Sequence, residues 1–112
     1  MNPSTVYHLV SPEWWETFAD KNHYESETLQ KETFIHFSTR EQVNGTLANY
    51  FKSVHRIFLL HIDASKLTSP LVFEDLFGIG IEFPHLYGCL NKDAVFEVQE
   101  LLADGYGSIR FN

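Results

Sequence analysis

Three histidines interrupt short runs of strand-forming residues, and a tyrosine stands close to one of them. His8, His36 and His85 each have aliphatic or aromatic neighbours, and Tyr87 follows His85 by two residues. Because imidazole has an unperturbed pKa of about 6.5, each histidine could take up or release a proton near neutral pH. Side chains two residues apart on a strand share a face. The stretch Ile81–Gly88 therefore predicts two polar aromatic side chains on one wall of a site.

Glu74 and Ser38 are further candidates for this site. Glu74 ends an apolar run, where its carboxylate could stabilise positive charge, cap a turn or pair with Arg56. Ser38 stands at a strand-to-helix junction, with Glu41 and Gln42 at capping-box spacing from Ser38 and Thr39. A helix start can bind an anion such as phosphate. The alternative, that Ser38 and Thr39 only cap the helix, stays open.

The composition limits the classes of protein that fit. The chain has 112 residues, 44% of them hydrophobic and 15% aromatic, so we expect residues 1–112 to form a single domain that folds without a metal or disulfides. A net charge of −7 with only 8 Lys plus Arg argues against nucleic acid binding through phosphates. Without a signal peptide or an apolar run of transmembrane length, we expect a cytoplasmic protein that does not enter membranes.

Hydrophobic patterning predicts an α+β fold. The sequence favours about six strands and two main helices without regular alternation. The helices are expected to start at Ser11 and near Ser38, and the strands to lie near residues 6–10, 34–37, 56–62, 71–74, 84–87 and 94–101. Val95 is out of phase with Phe96 and Val98, which indicates that the last strand starts irregularly. We expect a core over about 6–101 and an irregular C-terminal tail over 102–112.

Several unusual segments together resemble the bacterial domain-of-unknown-function family 952, over residues 6 to about 101. The segments are Tyr7-His8-Leu9, Phe34–Ser38 with Gln42, Leu60–Asp63 with Leu67, Glu74, Phe83–Gly88, and Leu90-Asn91 with Ala94-Val95. The chain departs from the typical pattern at Thr33, where such proteins carry Gly, and at Cys89, where they carry Pro. Both departures concern loop backbone geometry more than polar side chains.

The resemblance implies a fold similar to the ADP-ribosyltransferase fold, a compact split β-sheet around a cleft for nicotinamide dinucleotide (NAD). It assigns ribose binding to His8 and nicotinamide support to the segment His36–Ser38. The third role falls to Glu74, or to His85 and Tyr87. We therefore predict Glu74 and His85 as catalytic residues, and His8, His36, Ser38 and Tyr87 as residues that bind NAD, the substrate.

The implied function is binding ADP-ribose or transferring it from NAD. Cleavage of the nicotinamide–ribose bond passes through an oxocarbenium-like cation, which a carboxylate such as Glu74 can stabilise. We expect His8 and His85 to lie at the rim of the cleft, where they would contribute little to packing.

Two other classes fit the same residues. A non-catalytic module could use the polar wall to bind a nucleotide or another small ligand. A metal-dependent hydrolase could ligate Zn²⁺ through His8, His36 and His85 with Glu74. The histidines are separated by 28 and 49 residues and no HExxH pattern occurs, so no metal is expected. Cys89, the single cysteine, would act as a nucleophile only with a nearby base and a lowered pKa; otherwise it is a small buried side chain.

Overall fold

The structure, a computed structural model, describes residues 4–112 and is an α+β fold in which every strand pair is antiparallel. The strands are β1 Thr5–Val10, β2 His23–Tyr24, β3 Ile35–His36, β4 Arg56–Asp63, β5 Leu71–Glu74, β6 Phe83–Leu86, β7 Leu90–Asn91 and β8 Val95–Leu102. The helices are α1 Pro12–Glu16, α2 Leu29–Glu32 and α3 Val43–Tyr50, with 3-10 turns at Arg40–Gln42, Ala64–Lys66 and Lys92–Ala94. No helix within residues 4–112 has the length and apolar character needed to cross a membrane.

The largest sheet has the order β1-β4-β8 and separates two apolar clusters. Its central strand β4 is apolar on both faces, and Leu59, Leu60 and Ile62 are fully buried. The β4–β8 register shifts between His61 and Ile62, so that β8 carries one extra residue there. This bulge confirms the irregular start predicted from the phase of Val95.

A second sheet has the order β3-β6-β5, and residues 36–38 connect it to β1. His36 lies opposite His85 in the β3–β6 pair. Two residues later the chain reaches β1, where Ser38 and Tyr7 exchange backbone hydrogen bonds of 2.7 and 2.8 Å. The segment from β3 to Ser38, one residue past the predicted second strand, therefore bridges both three-stranded sheets and brings His8 close to the backbone of His36.

The structure corrects several predicted boundaries. It has eight strands within the described residues instead of about six, because β2 and β7 form a two-residue pair that has no periodic sequence signal. Helix α1 starts directly after Ser11, its N-cap, and ends at Glu16. The core extends past the predicted limit near residue 101, since Phe111 is only 7% exposed in the irregular C-terminal segment. The side chain of Asn44 anchors that segment through hydrogen bonds of 2.7 and 2.8 Å to the backbone of Phe111.

Candidate functional site

The carboxylate of Glu74 joins two neighbouring side chains of the second sheet. Its Oε2 atom accepts a hydrogen bond from His85 Nδ1 at 2.8 Å and another from the Tyr87 hydroxyl. Glu74 lies opposite Phe83 in the β5–β6 register, so side chains two and four residues after Phe83 share its face. The prediction that His85 and Tyr87 form one wall is confirmed, and Glu74 belongs to the same wall.

Two more aromatic rings complete the wall. They belong to His36 in β3 and to Phe34, the residue before β3. Phe34 stacks on His85 with 4.2 Å between ring centroids, and it contacts His36 edge-on at 4.8 Å and Tyr87 at 5.4 Å. The rings of His36 and His85 are nearly perpendicular, with their centroids 5.1 Å apart. We call His36, Glu74, His85 and Tyr87, together with Phe34, the Glu74 cluster.

Hydrogen bonding sets the protonation states within the Glu74 cluster. Hydrogen bonds from Tyr87 and His85 hold the pKa of Glu74 below its usual value, and the bond to Glu74 raises the pKa of Tyr87. At neutral pH the carboxylate is therefore ionised and the phenol protonated. His85 contacts Glu74 through Nδ1, which leaves Nε2 as the ring nitrogen that faces away from the carboxylate. Among residues 4–112 this nitrogen has no hydrogen-bond partner, and the His85 residue as a whole is 2% exposed.

His8 lies behind the wall and not in it. Its Nδ1 donates to the carbonyl oxygen of His36 at 2.7 Å, and its Nε2 accepts from the Tyr24 hydroxyl at 2.8 Å. Burial lowers the pKa of His8 to about 4, so the ring is neutral at physiological pH. The expected rim positions are wrong for both histidines, because His8 is 7% and His85 only 2% exposed. In this arrangement His8 fixes the position of the His36 backbone.

Ser38 also lies outside the Glu74 cluster. It is buried, and its hydroxyl pairs with the hydroxyl of Thr46 at 3.3 Å. The following helical turn is capped from Thr39, whose backbone N–H donates to Gln42 Oε1 at 3.0 Å. Of the two overlapping capping boxes in the sequence, the structure forms the one between Thr39 and Gln42. The Ser38 hydroxyl is thus used within the fold.

Comparison with known proteins places the chain in a family. The sequence model of a family described as "Protein of unknown function (DUF952)" matches residues 9–98. The chain belongs to the DUF952 family. No curated protein matches it.

Solved structures of one protein from Caulobacter crescentus resemble this chain. The crystal structure of protein CC0527 from Caulobacter crescentus is 30% identical, with a TM-score of 0.84 over 95% of this chain and 93% of that one. The solution NMR structure of CC0527 gives a TM-score of 0.81 at 30% identity, over 95% of this chain and 91% of that one. The fold described above is therefore shared between this DUF952 chain and CC0527.

The geometry of this DUF952 chain also bears on a Cys89 nucleophile, on pairing of Glu74 with Arg56 and on a metal site. Burial and the neighbouring Glu25 carboxylate raise the pKa of the Cys89 thiol, which disfavours a thiolate nucleophile. Arg56 pairs with Glu100, so the anticipated alternative partner of Glu74 is engaged elsewhere. Within residues 4–112 no group of three or more His, Cys, Asp or Glu side chains has the geometry of a metal site.

Sequence reasoning missed two residues of the site region. The ring of Phe34 contacts those of His36, His85 and Tyr87. Its position two residues before His36 indicates, from sequence alone, that the two side chains share a face. Tyr24 is 1% exposed and holds His8, yet it lies in a polar stretch without periodicity, 16 residues from its partner. No local pattern identifies it, because the contact is formed only by tertiary folding.

Proposed function

We propose that this chain binds the nicotinamide–ribose portion of NAD, or ADP-ribose, at the Glu74 cluster. The observation that carries the proposal is the ionised Glu74 carboxylate, which accepts hydrogen bonds from both His85 and Tyr87 beside the ring of Phe34. Ribose offers hydroxyl donors for a carboxylate and an imidazole nitrogen. The nicotinamide ring of NAD is flat and positively charged, which suits aromatic faces next to a carboxylate. The fold similar to that of ADP-ribosyltransferases, which the family resemblance implies, suggests the same ligand.

The chemistry that such a site would perform is glycosyl transfer. The bond between ribose C1′ and the pyridinium nitrogen breaks, its electron pair stays on that nitrogen, and neutral nicotinamide leaves. Ionised Glu74 stabilises the positive charge that develops on the ribose. An acceptor hydroxyl or water forms the new bond to C1′ and transfers its proton to the free Nε2 of His85. His36 and Tyr87 contact the ribose or the ring, and no metal is needed.

His8 and Ser38 act in this proposal through the backbone. His8 holds the carbonyl of His36, and Ser38 bridges the two sheets at the next turn of the chain. Both are therefore positioning residues in the free protein. Direct contact between His8 and ribose, as the resemblance implies, requires the Tyr24 hydroxyl to leave His8 Nε2.

One observation favours a second candidate, a non-catalytic module that binds the same ligand. His85 is 2% and Phe34 7% exposed, which leaves little free surface around the nitrogen that would accept the proton. A ligand held against Tyr87, Glu74 and His36 without reaching that nitrogen would bind and not react. Release of nicotinamide separates the two candidates.

The test is an NMR titration of the full chain with NAD, ADP-ribose and nicotinamide, combined with chromatographic detection of released nicotinamide. We expect saturable amide shifts at residues 34–37, 72–75 and 84–88, and weaker binding for Glu74→Gln. The exposed Glu13 lies on α1, so Glu13→Gln is the matched control and should bind as the wild type does. Binding with release supports transfer, and binding without release supports the module. Absence of shifts with millimolar ligand would overturn both.

A further inference from the structure

A cleft of about 250 Å³ lies between α1 and the segment that leads into α2. Its apolar surface comes from Trp14, Phe18 and Leu29, and its polar surface from Glu25, Ser26, Glu27 and Gln30. None of these residues belongs to the Glu74 cluster. Two carboxylates thus stand beside an aromatic and aliphatic surface.

The indole of Trp14 is held firmly in this cleft. Its Nε1–H donates to the backbone carbonyl of Glu25 at 2.7 Å, and its ring contacts Phe18 in a T-shaped arrangement with centroids 5.7 Å apart. The hydrogen bond fixes the edge of the ring to the acidic segment. A fixed indole beside acidic groups is the arrangement that binds organic cations through the ring face.

Nothing in the described part of the chain neutralises the two carboxylates. No Lys, Arg or His nitrogen of residues 4–112 lies within 4.0 Å of Glu25 or Glu27. The Cys89 thiol donates to Glu25 Oε1 at 3.5 Å. Lys92, which lies nearby in the fold, is engaged with the carbonyl of Phe18 and the ring of Trp15. The local negative charge is therefore available to a ligand.

Ser26 provides an independent sign that the cleft is incomplete. Its hydroxyl oxygen is the one buried side-chain nitrogen or oxygen atom among residues 4–112 that has no hydrogen-bond partner. Buried hydroxyls nearly always form a hydrogen bond, because a buried hydroxyl without a partner destabilises the fold. This oxygen is shielded from solvent in the free protein. A ligand that moves the shielding atoms aside and offers an N–H donor would give it a hydrogen-bond partner.

We propose that this cleft binds a small organic cation, an ammonium or guanidinium group carried on an apolar stem. The stem packs on Phe18 and Leu29, the cationic head lies near Trp14 between the carboxylates of Glu25 and Glu27, and its N–H groups reach Ser26. The proposal is independent of the NAD site, since it uses none of the same side chains.

The test uses n-butylammonium chloride as the probe and the full chain as the protein, followed by ¹H–¹⁵N NMR. We expect saturable shifts of the Trp14 indole N–H and of residues 25–29, without shifts in the Glu74 cluster. The Glu25→Gln/Glu27→Gln double variant should weaken binding roughly tenfold or more. Glu13→Gln should bind as the wild type does. Higher NaCl should weaken binding, because exposed charges are screened.

Two controls make the outcome decisive. Neutral n-butanol has a similar stem without the charge and should produce much weaker shifts at the same residues. Equal shifts with butanol, or unchanged binding by the double variant with a well-dispersed spectrum, would overturn the proposal. So would the absence of saturable shifts at Trp14. A negative result here leaves the NAD titration unaffected, because that experiment monitors residues of the second sheet.

Discussion

Glu74 Oε2 and His85 Nδ1 lie 2.8 Å apart across adjacent strands, and the Tyr87 hydroxyl donates to the same oxygen. This three-residue contact is the chemical centre of the candidate site, because it keeps the carboxylate ionised and orients the rings of His85 and Tyr87 towards it.

The first prediction concerns the pH dependence of Glu74→Gln. Hydrogen bonds from Tyr87 and His85 lower the folded-state pKa of Glu74, so its carboxylate stabilises the fold above the ordinary glutamate pKa. That contribution is lost as pH falls through the lowered value. We expect the Tm advantage of the wild type over Glu74→Gln to shrink between about pH 6 and about pH 3. Thermal melts at several pH values measure it, and an advantage that grows on acidification would contradict the assigned contacts.

The second prediction concerns the protonation of His8. Its folded-state pKa of about 4 lies below that of an unfolded histidine, so the unfolded chain binds this proton first. The free energy of unfolding therefore decreases as pH falls from about 6.5 towards about 4. The total decrease due to His8 is on the order of 3 kcal/mol. Long-range ¹H–¹⁵N NMR should show a neutral ring protonated on Nδ1 at pH 6. Titration of His8 near the value of a free histidine would show that the ring is not buried.

The third prediction compares two tyrosine hydroxyls. Tyr24→Phe leaves the buried Nε2 of His8 without its donor, so we expect a loss of about 1–3 kcal/mol in unfolding free energy. Tyr87→Phe is the matched control, because Tyr87 is half-buried and Glu74 keeps its bond to His85. Its loss of unfolding free energy should be clearly smaller than that of Tyr24→Phe. Urea denaturation measures both, and equal losses would argue against a buried His8–Tyr24 bond.

The fourth prediction concerns Gly88, which follows the cluster. Its φ is +146°, and a Cβ atom there would lie 2.5 Å from Ser69 Oγ and 2.9 Å from Ser69 Cβ. The Ser69 hydroxyl donates to the Cys89 carbonyl at 3.1 Å, which opposes its displacement. We expect Gly88→Ala to destabilise the fold by about 1–3 kcal/mol. Gly45→Ala in α3 meets no atom within 4 Å and should stabilise by about 0.5–1 kcal/mol.

The fifth prediction concerns the departure from the family pattern at Thr33. This residue ends α2 with φ 70°, a left-handed conformation that glycine adopts without strain. Thr33→Gly should therefore stabilise the fold by about 1 kcal/mol in urea denaturation. Thr28, at the other end of α2, has φ −103°, so Thr28→Gly should bring no such gain. A destabilised Thr33→Gly would show that the threonine side chain has a compensating role.

The amino-acid sequence determined the features that depend on neighbouring residues. Alternation placed His85 and Tyr87 on one wall, and the apolar run near residues 56–62 predicted the strand β4. The phase of Val95 predicted an irregular start of β8, where the structure has a bulge. Capping-box spacing placed the start of a helical segment at Ser38 or Thr39, and the structure forms the box at Thr39. These features follow from relations over two to four residues, which a sequence displays directly.

Only the tertiary structure decided which of the candidate residues meet. Glu74 reaches His85 across 11 residues of chain, His8 reaches Tyr24 across 16, and Ser38 pairs with Thr46 instead of joining the wall. The pair β2–β7 is only two residues long and joins segments far apart in the chain. Such contacts depend on strand register and on the packing of distant segments, and no local pattern in the sequence records either.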